Sequence, residues 1–208
     1  MAGRIMTTRK RPSLQQQKRD FTRARLLDAS LESFGEKGYL GATVDDIALA
    51  AGCSRATFYL HFKSRAEVIM ALLQREAPDL AEALREFDDQ LARGITRSEV
   101  RQRLEAGWKQ LASMPGFLSA LQMAVLTEPE VSEWLDSFQL NSVEGLEKFF
   151  ATIPKKRHAE VKARMVTLNV LTLATYEMLA RGQSGVTHKV AIDLLVDLWM
   201  NVFHPEAS

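Results

Sequence analysis

Cysteine is almost absent from this chain, because Cys53 is the one thiol in 208 residues and no disulfide can form within the sequence. Such scarcity is typical of proteins in a reducing cytoplasm. Long apolar runs are missing too: the longest stretch without a charged residue, Gln110 to Thr127, is interrupted by Pro115 and Gly116 and is too broken to span a bilayer. The basic N-terminus has no apolar segment behind it, unlike a secretory signal. We therefore expect a cytoplasmic protein with no membrane partner.

The sequence also has few of the features that an enzyme needs. No glycine-rich loop is present to hold a phosphate, and the four histidines lack the spacing of metal ligands; they are His61, His158, His188 and His204. We predict no catalytic residue, no metal and no cofactor. No segment shows the alternation of a half-buried strand, whereas helical periods recur along the chain. With 46% apolar residues available to fill a core, the sequence predicts an all-α fold.

The stretch from Thr43 to Phe62 begins with the signals of a short helix and a tight turn. Thr43 and Asp46 have the spacing of a capping box, and Asp45 in the first turn favours the helix dipole. Gly52 follows at the point where the chain needs a left-handed residue to leave the helix. These signals predict the first helix and the turn of a helix–turn–helix.

A second short helix follows this turn. Ser54 is its predicted N-cap, and Phe58 and Phe62, four residues apart, are its predicted buried anchors. The residues between the anchors are short, polar or aromatic: Ser54, Arg55, Ala56, Thr57, Tyr59 and His61. An ordinary helical hairpin with a solvated face has the same spacing, but a helix–turn–helix with a polar outer face also suits a DNA major groove.

The residues of this stretch resemble the DNA-binding signature of the TetR family of transcriptional regulators. The matching elements are Ile47-Ala48, Ala51-Gly52-Cys53-Ser54, Tyr59, His61-Phe62, Arg65 and Val68, within a resemblance from about Ala24 to about Leu73. Cys53 stands where the family usually has valine, so we interpret it as a small buried hydrophobe, with a redox sensor as the alternative. The resemblance implies a three-helix DNA-binding domain and a larger C-terminal helical domain for ligand binding and dimerisation.

Chemistry and resemblance together divide the DNA-binding residues into two groups. Arg55 is the predicted base reader, since its forked donors match the acceptors of guanine. Ser54, Ala56 and Thr57 are short enough to let the helix lie deep in the groove, and Ala56 or the Thr57 methyl could contact a thymine methyl. The resemblance implies phosphate contacts for Thr43, Tyr59, His61, Lys63 and Arg65.

Charge is distributed unevenly along the chain. Through Arg75 there are 13 Lys and Arg against 7 Asp and Glu, or +6, whereas the remainder has 14 against 19, or −5. A basic third on an acidic body is typical of nucleic-acid binders. We predict a flexible basic arm over residues 1–19, a DNA-binding domain over residues 20–77 and a helical effector-binding and dimerisation domain over residues 78–208. The arm either contacts DNA or only solubilises the chain.

Helix signals continue on both sides of the helix–turn–helix. A first helix is predicted from about Asp20 to Gly38, and capping boxes at Ser64–Glu67 and Thr96–Glu99 open two others. Further predicted helices are Pro129–Ile153, Lys155–Ala180 and Thr187–Phe203, and an unusually apolar segment, Phe117–Leu126, follows the break at Pro115 and Gly116. An apolar stripe keeps its period across Pro78, where a helix either kinks or starts anew. That segment joins the basic third to the acidic body and is the predicted signal transmitter.

The last two predicted helices are apolar around more than one face. Val190, Leu194, Leu198 and Val202 make one stripe, and Ile192, Leu195, Trp199 and Phe203 lie beside it. A surface helix needs only one apolar stripe. The excess predicts burial either inside one subunit or against a second copy, and the family resemblance implies a homodimer through these two helices.

Ligand-pocket candidates are apolar walls with a few polar anchors. The predicted walls are Trp108, Phe117, Met123, Trp134 and Phe138, and the predicted anchors are Gln122, Asn141, Asn169, Thr172 and Tyr176. Residues of these types are more often plain core or dimer interface. No charged residue is isolated inside the apolar segments, which favours a neutral, hydrophobic effector.

The sequence thus supports one function over two others. The favoured hypothesis is a ligand-responsive transcriptional regulator, a repressor by the family's usual mode, that binds a near-palindromic double-stranded operator as a dimer and is released by a small-molecule effector. The alternative within DNA binding is a constitutive protein without an effector. An enzyme is the third class, and the missing catalytic features argue against it.

Overall fold

The computed structural model describes residues 13–76, 80–114, 116–182 and 185–204. Within these ranges the chain forms α-helices and one 3-10 turn, and no strand. The helices are α1 Leu14–Gly41, α2 Val44–Ala50, α3 Arg55–Tyr59, α4 Arg65–Glu76, α5 Leu80–Ala92, α6 Arg97–Ala112, α7 Phe117–Thr127, α8 Pro129–Glu144, α9 Glu147–Ala151, α10 His158–Arg181 and α11 His188–Phe203. The predicted all-α class is confirmed. None of these helices is long and apolar enough to cross a bilayer.

The first helix begins earlier than its apolar pattern predicts. α1 starts at Leu14 rather than near Asp20, because the Ser13 hydroxyl accepts the Gln16 N–H at 3.1 Å and the Gln16 amide donates to Asp20 at 2.8 Å. Residues 14–19, predicted as part of a flexible arm, are therefore helical, and the predicted boundary of the arm is wrong. Residues 1–12 lie outside the described ranges. Gly38 ends the regular helix as predicted, with φ +67°.

Two predicted capping boxes are confirmed. The Thr43 hydroxyl accepts the Asp46 N–H at 3.1 Å while the Asp46 carboxylate accepts the Thr43 N–H at 2.9 Å. Thr96 and Glu99 repeat this exchange at the start of α6. The third box is only half formed: Ser64 accepts the Glu67 N–H, but the Glu67 carboxylate accepts from Lys63 N–H instead.

The Glu99 box makes stability depend on pH. The guanidinium of Arg93, then the N–H and hydroxyl of Thr96, lower the pKa of Glu99 to about 2. Because its pKa is higher in the unfolded chain, about 4.3, unfolding takes up a proton in acid and stability is lost as the pH falls through this window. We expect the unfolding free energy to fall less between about pH 6 and about pH 3 for Glu99→Gln than for the parent chain, measured by urea denaturation. Glu36→Gln, at an exposed carboxylate, should keep the parent profile.

The helix predicted from Pro129 to Ile153 is wrong in its second half. α8 ends at Glu144, Leu146 leaves helical geometry at φ −85°, ψ 57°, and the short α9 begins at Glu147. The buried carboxylate of Asp88 on α5 accepts the N–H groups of Lys148 and Phe149 at 3.0 and 2.8 Å. A helix start needs partners for its free N–H groups, and here a distant aspartate supplies them.

The last two helices agree with their predicted bounds to within three residues. Residues 155–157 form the 3-10 turn and α10 follows from His158, while Thr187 caps α11 by accepting the Val190 N–H. α11 packs on α6 and α10, and α10 also packs on α8. These helices with α5 and α9 enclose a core that is separate from the core beneath α2 and α3.

α7 belongs to the core of the N-terminal helices. Phe117, Ala120, Leu121 and Ala124 are buried in one cluster with residues of α1 to α4. Two polar contacts extend the junction to α8: the Tyr39 hydroxyl donates to Glu128 at 3.1 Å and the Ser64 hydroxyl donates to Glu130 at 3.2 Å. Burial raises the pKa of Tyr39, so it remains a donor. The N-terminal helices α1 to α4 therefore contact the C-terminal helices directly through α7 and α8. Pro78, the predicted transmitter, lies outside the described ranges.

Candidate DNA-binding surface and ligand cavity

The local sequence builds an exposed short helix on a buried aromatic base. Gly52 makes the predicted left-handed turn at φ +62°, and Ser54 caps α3 by accepting the Thr57 N–H at 3.1 Å. Phe58 and Phe62 are both buried, with ring centroids 5.8 Å apart. These anchors hold α3 against α1 and α2 and leave its polar side in solvent.

Arg55 lies on that solvent side and is held by an acidic residue of α2. Its Nη1 donates to the Asp45 carboxylate at 2.7 Å, and its Nη2 lies 3.4 Å from the Tyr59 hydroxyl. Asp45, first, and Tyr59 raise the pKa of Arg55 above its usual value. Because this ion pair is solvent-exposed, it contributes little to stability but restrains the direction of the guanidinium.

The three short residues of α3 differ in how free they are. Ala56 is exposed, whereas the hydroxyls of Ser54 and Thr57 lie 2.9 Å apart and bond to each other. The predicted close approach to bases remains a prediction. The bond between the Ser54 and Thr57 hydroxyls also stiffens the start of α3.

The residues predicted to hold phosphates fall into different environments. Lys63 is exposed, and its amine has no partner among residues 13–76 or the other described ranges. Tyr59 is half exposed beside Arg55. The Thr43 hydroxyl already donates to Asp46 at 2.6 Å, and Lys37 binds the other oxygen of that carboxylate. Lys63 and Tyr59 are therefore the more available of the predicted group.

Arg65 and His61, whose phosphate contacts stay a prediction, are held in part by other residues. Arg65 Nη1 donates to the carbonyls of Tyr39 and Ala42, and its guanidinium lies 4.8 Å from the Tyr39 ring centroid. Arg65 therefore ties α4 to the end of α1, a structural role. Burial, followed by the charges of Arg19 and Arg23, lowers the pKa of His61, so its ring is neutral near pH 7.

Three residues of this surface were not predicted from the sequence to take part in it. Asp45 was interpreted only as a helix-dipole residue, since its partner is ten positions away and outside any helical spacing. Arg19 and Arg23 lie one turn apart on α1, and Arg23 stands over the Phe62 ring at 4.7 Å. Their spacing of four residues was a detectable signal that α1 also presents positive charge beside α3.

The predicted effector residues do not form one pocket. Phe117 is buried in the core of the N-terminal helices, Met123 is partly exposed on α7, and Gln122 accepts a hydrogen bond from Arg181. Trp134 and Phe138 stack at 5.3 Å on α8, and Asn141 is exposed. These residues do not line one cavity of the described structure, because helical spacing does not tell which core an apolar stripe enters, and their role in ligand binding stays a prediction.

Two further candidates pack against each other on the inner side of α6. The Tyr176 hydroxyl is buried and donates to the Leu104 carbonyl at 2.6 Å, and burial raises its pKa. The Trp108 ring lies 5.9 Å from Tyr176 and 5.5 Å from His188. These contacts make Trp108 and Tyr176 packing residues.

Asn169 and Thr172 are the predicted anchors that share a cavity. It has a volume of about 150 Å³ and lies between α5, α6, α10 and α11. Its other lining residues are Phe87, Val100, Arg103, Leu104, Trp199 and Phe203. Arg103 is the unexpected member, because nothing in the Arg-rich start of α6 distinguishes it from its neighbours.

A larger groove of about 550 Å³ lies between α5, α9 and the end of α11. Its charged residue, Arg157, already faces Glu160 at 3.7 Å, and His204 already contacts the Ile95 carbonyl at 3.0 Å. The smaller cavity is the better ligand candidate, since it combines aromatic walls with polar groups.

Comparisons with known proteins agree with this architecture. Residues 26–72 match the sequence profile of the bacterial regulatory proteins of the tetR family. The chain is 34% identical over 119 residues to the HTH-type transcriptional activator FasR of Mycolicibacterium smegmatis, covering 55% of this chain and 52% of FasR. It is 27% identical over 171 residues to the HTH-type transcriptional regulator EthR of Mycobacterium tuberculosis, covering 79% and 78%.

The matched region thus spans only about half of FasR. Among solved structures, a TetR-family regulator from Mesorhizobium loti MAFF303099 superposes with a TM-score of 0.60 at 17% identity, covering 89% of this chain and 96% of that one. That likeness concerns the fold alone.

Proposed function

We propose that this chain, whose residues 26–72 match the tetR-family profile, is a ligand-responsive repressor that binds a near-palindromic operator as a homodimer. The observation that carries this proposal is Arg55, exposed on α3 and aimed by Asp45 above a buried aromatic base. A guanidinium held in this way reaches guanine O6 and N7 with little loss of side-chain freedom. Lys63 supplies a phosphate contact that is independent of sequence.

Dimerisation is supported by apolar surface on the last two helices. Val170, Leu171, Val190 and Leu194 are large apolar residues left exposed on α10 and α11. Two copies that bury these faces form a four-helix bundle and place one α3 helix on each side of a two-fold axis. The pair then reads successive major grooves about 34 Å apart.

Ligand control follows from the position of α7. An effector in the cavity between α5, α6, α10 and α11 changes how these helices pack, and α7 transfers the change because its apolar face lies in the core of α1 to α4. The effector releases DNA only if it binds more tightly to a dimer conformation in which the distance between the two α3 helices does not fit the operator. Release by ligand distinguishes this function from constitutive DNA binding.

Arg55→Ala and Lys63→Ala should separate base reading from phosphate binding. We expect Arg55→Ala to lose about 10- to 100-fold in affinity for the operator and much less for random DNA, because a bidentate guanine contact is lost. Lys63→Ala should weaken binding to operator and random DNA alike. It should also reduce the slope of log affinity against log salt concentration by about one per subunit. The measurement is a fluorescence-anisotropy titration over a range of salt, with an operator selected by the purified protein from random-sequence DNA. Equal losses of Arg55→Ala on both DNAs contradict the reading role.

A further inference from the structure

We propose that the effector is an apolar monocarboxylate whose carboxylate pairs with Arg103 while its hydrocarbon part fills the cavity between α5, α6, α10 and α11. This inference rests on the proposed function and narrows the chemistry of its ligand. It also replaces the neutral effector that the sequence favours.

Arg103 is a half-buried cation whose contacts are all neutral. Its Nη1 lies 3.4 Å from Gln90 Oε1, its Nη2 donates to the Ala83 carbonyl at 3.2 Å, and its guanidinium lies 4.2 Å from the Phe87 ring centroid. In the described part of the chain no carboxylate comes within salt-bridge distance of it. Glu86 acts on Arg103 from farther away, and burial lowers the pKa of Arg103.

Its neighbours on the same helix show the contrast. Arg97 and Arg101 both form ion pairs with α11, to Asp197 and Asp193. Arg103 points to the other side of α6, toward α5 and the cavity. A half-buried guanidinium that stacks on an aromatic ring and has no carboxylate within salt-bridge distance is stabilised by an anion that brings two parallel acceptors, and a carboxylate has that geometry.

The cavity walls limit the rest of the ligand. Val100, Leu104, Trp199 and Phe203 line it with apolar surface, and the Trp199 indole N–H is already bonded to Thr172 at 3.1 Å. The Asn169 amide makes no hydrogen bond to the residues that the structure describes. A volume of about 150 Å³ suits a ring the size of benzene or a short alkyl chain. The complementary molecule is therefore small and apolar, with one acidic end.

Isothermal titration calorimetry of the full chain tests this assignment with two matched probe pairs. The probes are 3-phenylpropanoate with 3-phenylpropanamide, and hexanoate with hexanamide, so that each pair differs only in charge. We expect the parent chain to bind at least one carboxylate about tenfold or more tightly than its amide, because a charge-assisted pair is lost in the amide. Arg103→Met should abolish this preference and leave amide binding within about twofold, and Arg103→Lys should retain part of it. Arg85→Met, which removes an exposed arginine of α5, is the control and should keep the preference.

The outcomes distinguish the ligand class from the proposed function. Amides that bind as tightly as their carboxylates, or no binding of any probe to the parent chain, overturn the carboxylate assignment even if every Arg103 variant fails to fold. A carboxylate preference that survives Arg103→Met also overturns it. Binding that depends on Arg103 but leaves operator affinity unchanged supports the ligand class and contradicts the regulatory function.

Discussion

Replacing Gly116 by alanine should destabilise the chain by about 2 kcal/mol more than replacing Gly182 by alanine. Both glycines have a left-handed backbone, with φ of +76° and +66°. A Cβ at Gly182 meets nothing within 4 Å, whereas a Cβ at Gly116 meets Gly35 Cα at 2.5 Å, Gly35 N at 2.9 Å and the Phe34 carbonyl oxygen at 3.2 Å. The atoms that clash belong to the backbone of α1, so no side-chain rotation relieves them.

The comparison separates strain from clash. Gly182→Ala carries only the left-handed cost of about 1–2 kcal/mol, and Gly116→Ala adds about 1–3 kcal/mol of overpacking. Urea denaturation of both variants and the parent chain measures the difference. Equal unfolding free energies of the two variants contradict the close approach of α7 to α1. Since this approach joins the N-terminal helices to α7, Gly116→Ala should also alter operator affinity at temperatures where it remains folded.

Leu194→Glu should convert the proposed dimer into a folded monomer. Leu194 and Val190 are 57% and 58% exposed on α11, and Val170 is 53% exposed on α10, so a carboxylate at position 194 is solvated in a single copy. In the proposed dimer this face is buried against the second copy, and a buried, unpaired carboxylate costs on the order of 3–5 kcal/mol in each copy. We therefore expect the particle mass to fall from twice 23.4 kDa to 23.4 kDa, with thermal stability of the monomer little changed.

Sedimentation equilibrium measures this change in mass. Titration with the operator should show a loss of about 100-fold or more in affinity, because one subunit cannot bind two half-sites. Leu49→Glu is the matched control for sedimentation, since Leu49 is 80% exposed on α2, which packs on α1 and α3. That variant should remain dimeric. A Leu194→Glu protein that sediments like the parent chain places the interface elsewhere.

Features that depend on neighbouring residues could be predicted from the sequence. The Thr43–Asp46 box, the Gly52 turn and the Ser54 cap each need only three or four adjacent positions, and all are confirmed. The all-α class follows from the same local periodicity. Such signals are complete within one turn of helix, so the sequence carries them in full.

Features that depend on distant residues could not be predicted. Asp88 caps α9 from 60 positions away, and Arg65 turns inward because the carbonyls of Tyr39 and Ala42 lie within its reach. Phe117 looked like a pocket wall because an apolar stripe does not reveal which core receives it. Arg103 carries no local signal that sets it apart from its neighbours, and only the folded chain places it over the Phe87 ring. Long-range pairing decides each of these cases.

The spacing of half-sites tests the central claim, that two copies of α3 read DNA together. The measurement compares the affinity of the parent chain for a site selected from random-sequence DNA with its affinity for the same site after insertion of about five base pairs, half a turn, at the centre. The account predicts a selected sequence with two-fold symmetry, half-site centres about 10 base pairs apart, and a loss of about tenfold or more on insertion. Selection of no sequence, or equal binding to the selected, interrupted and random DNA, contradicts it.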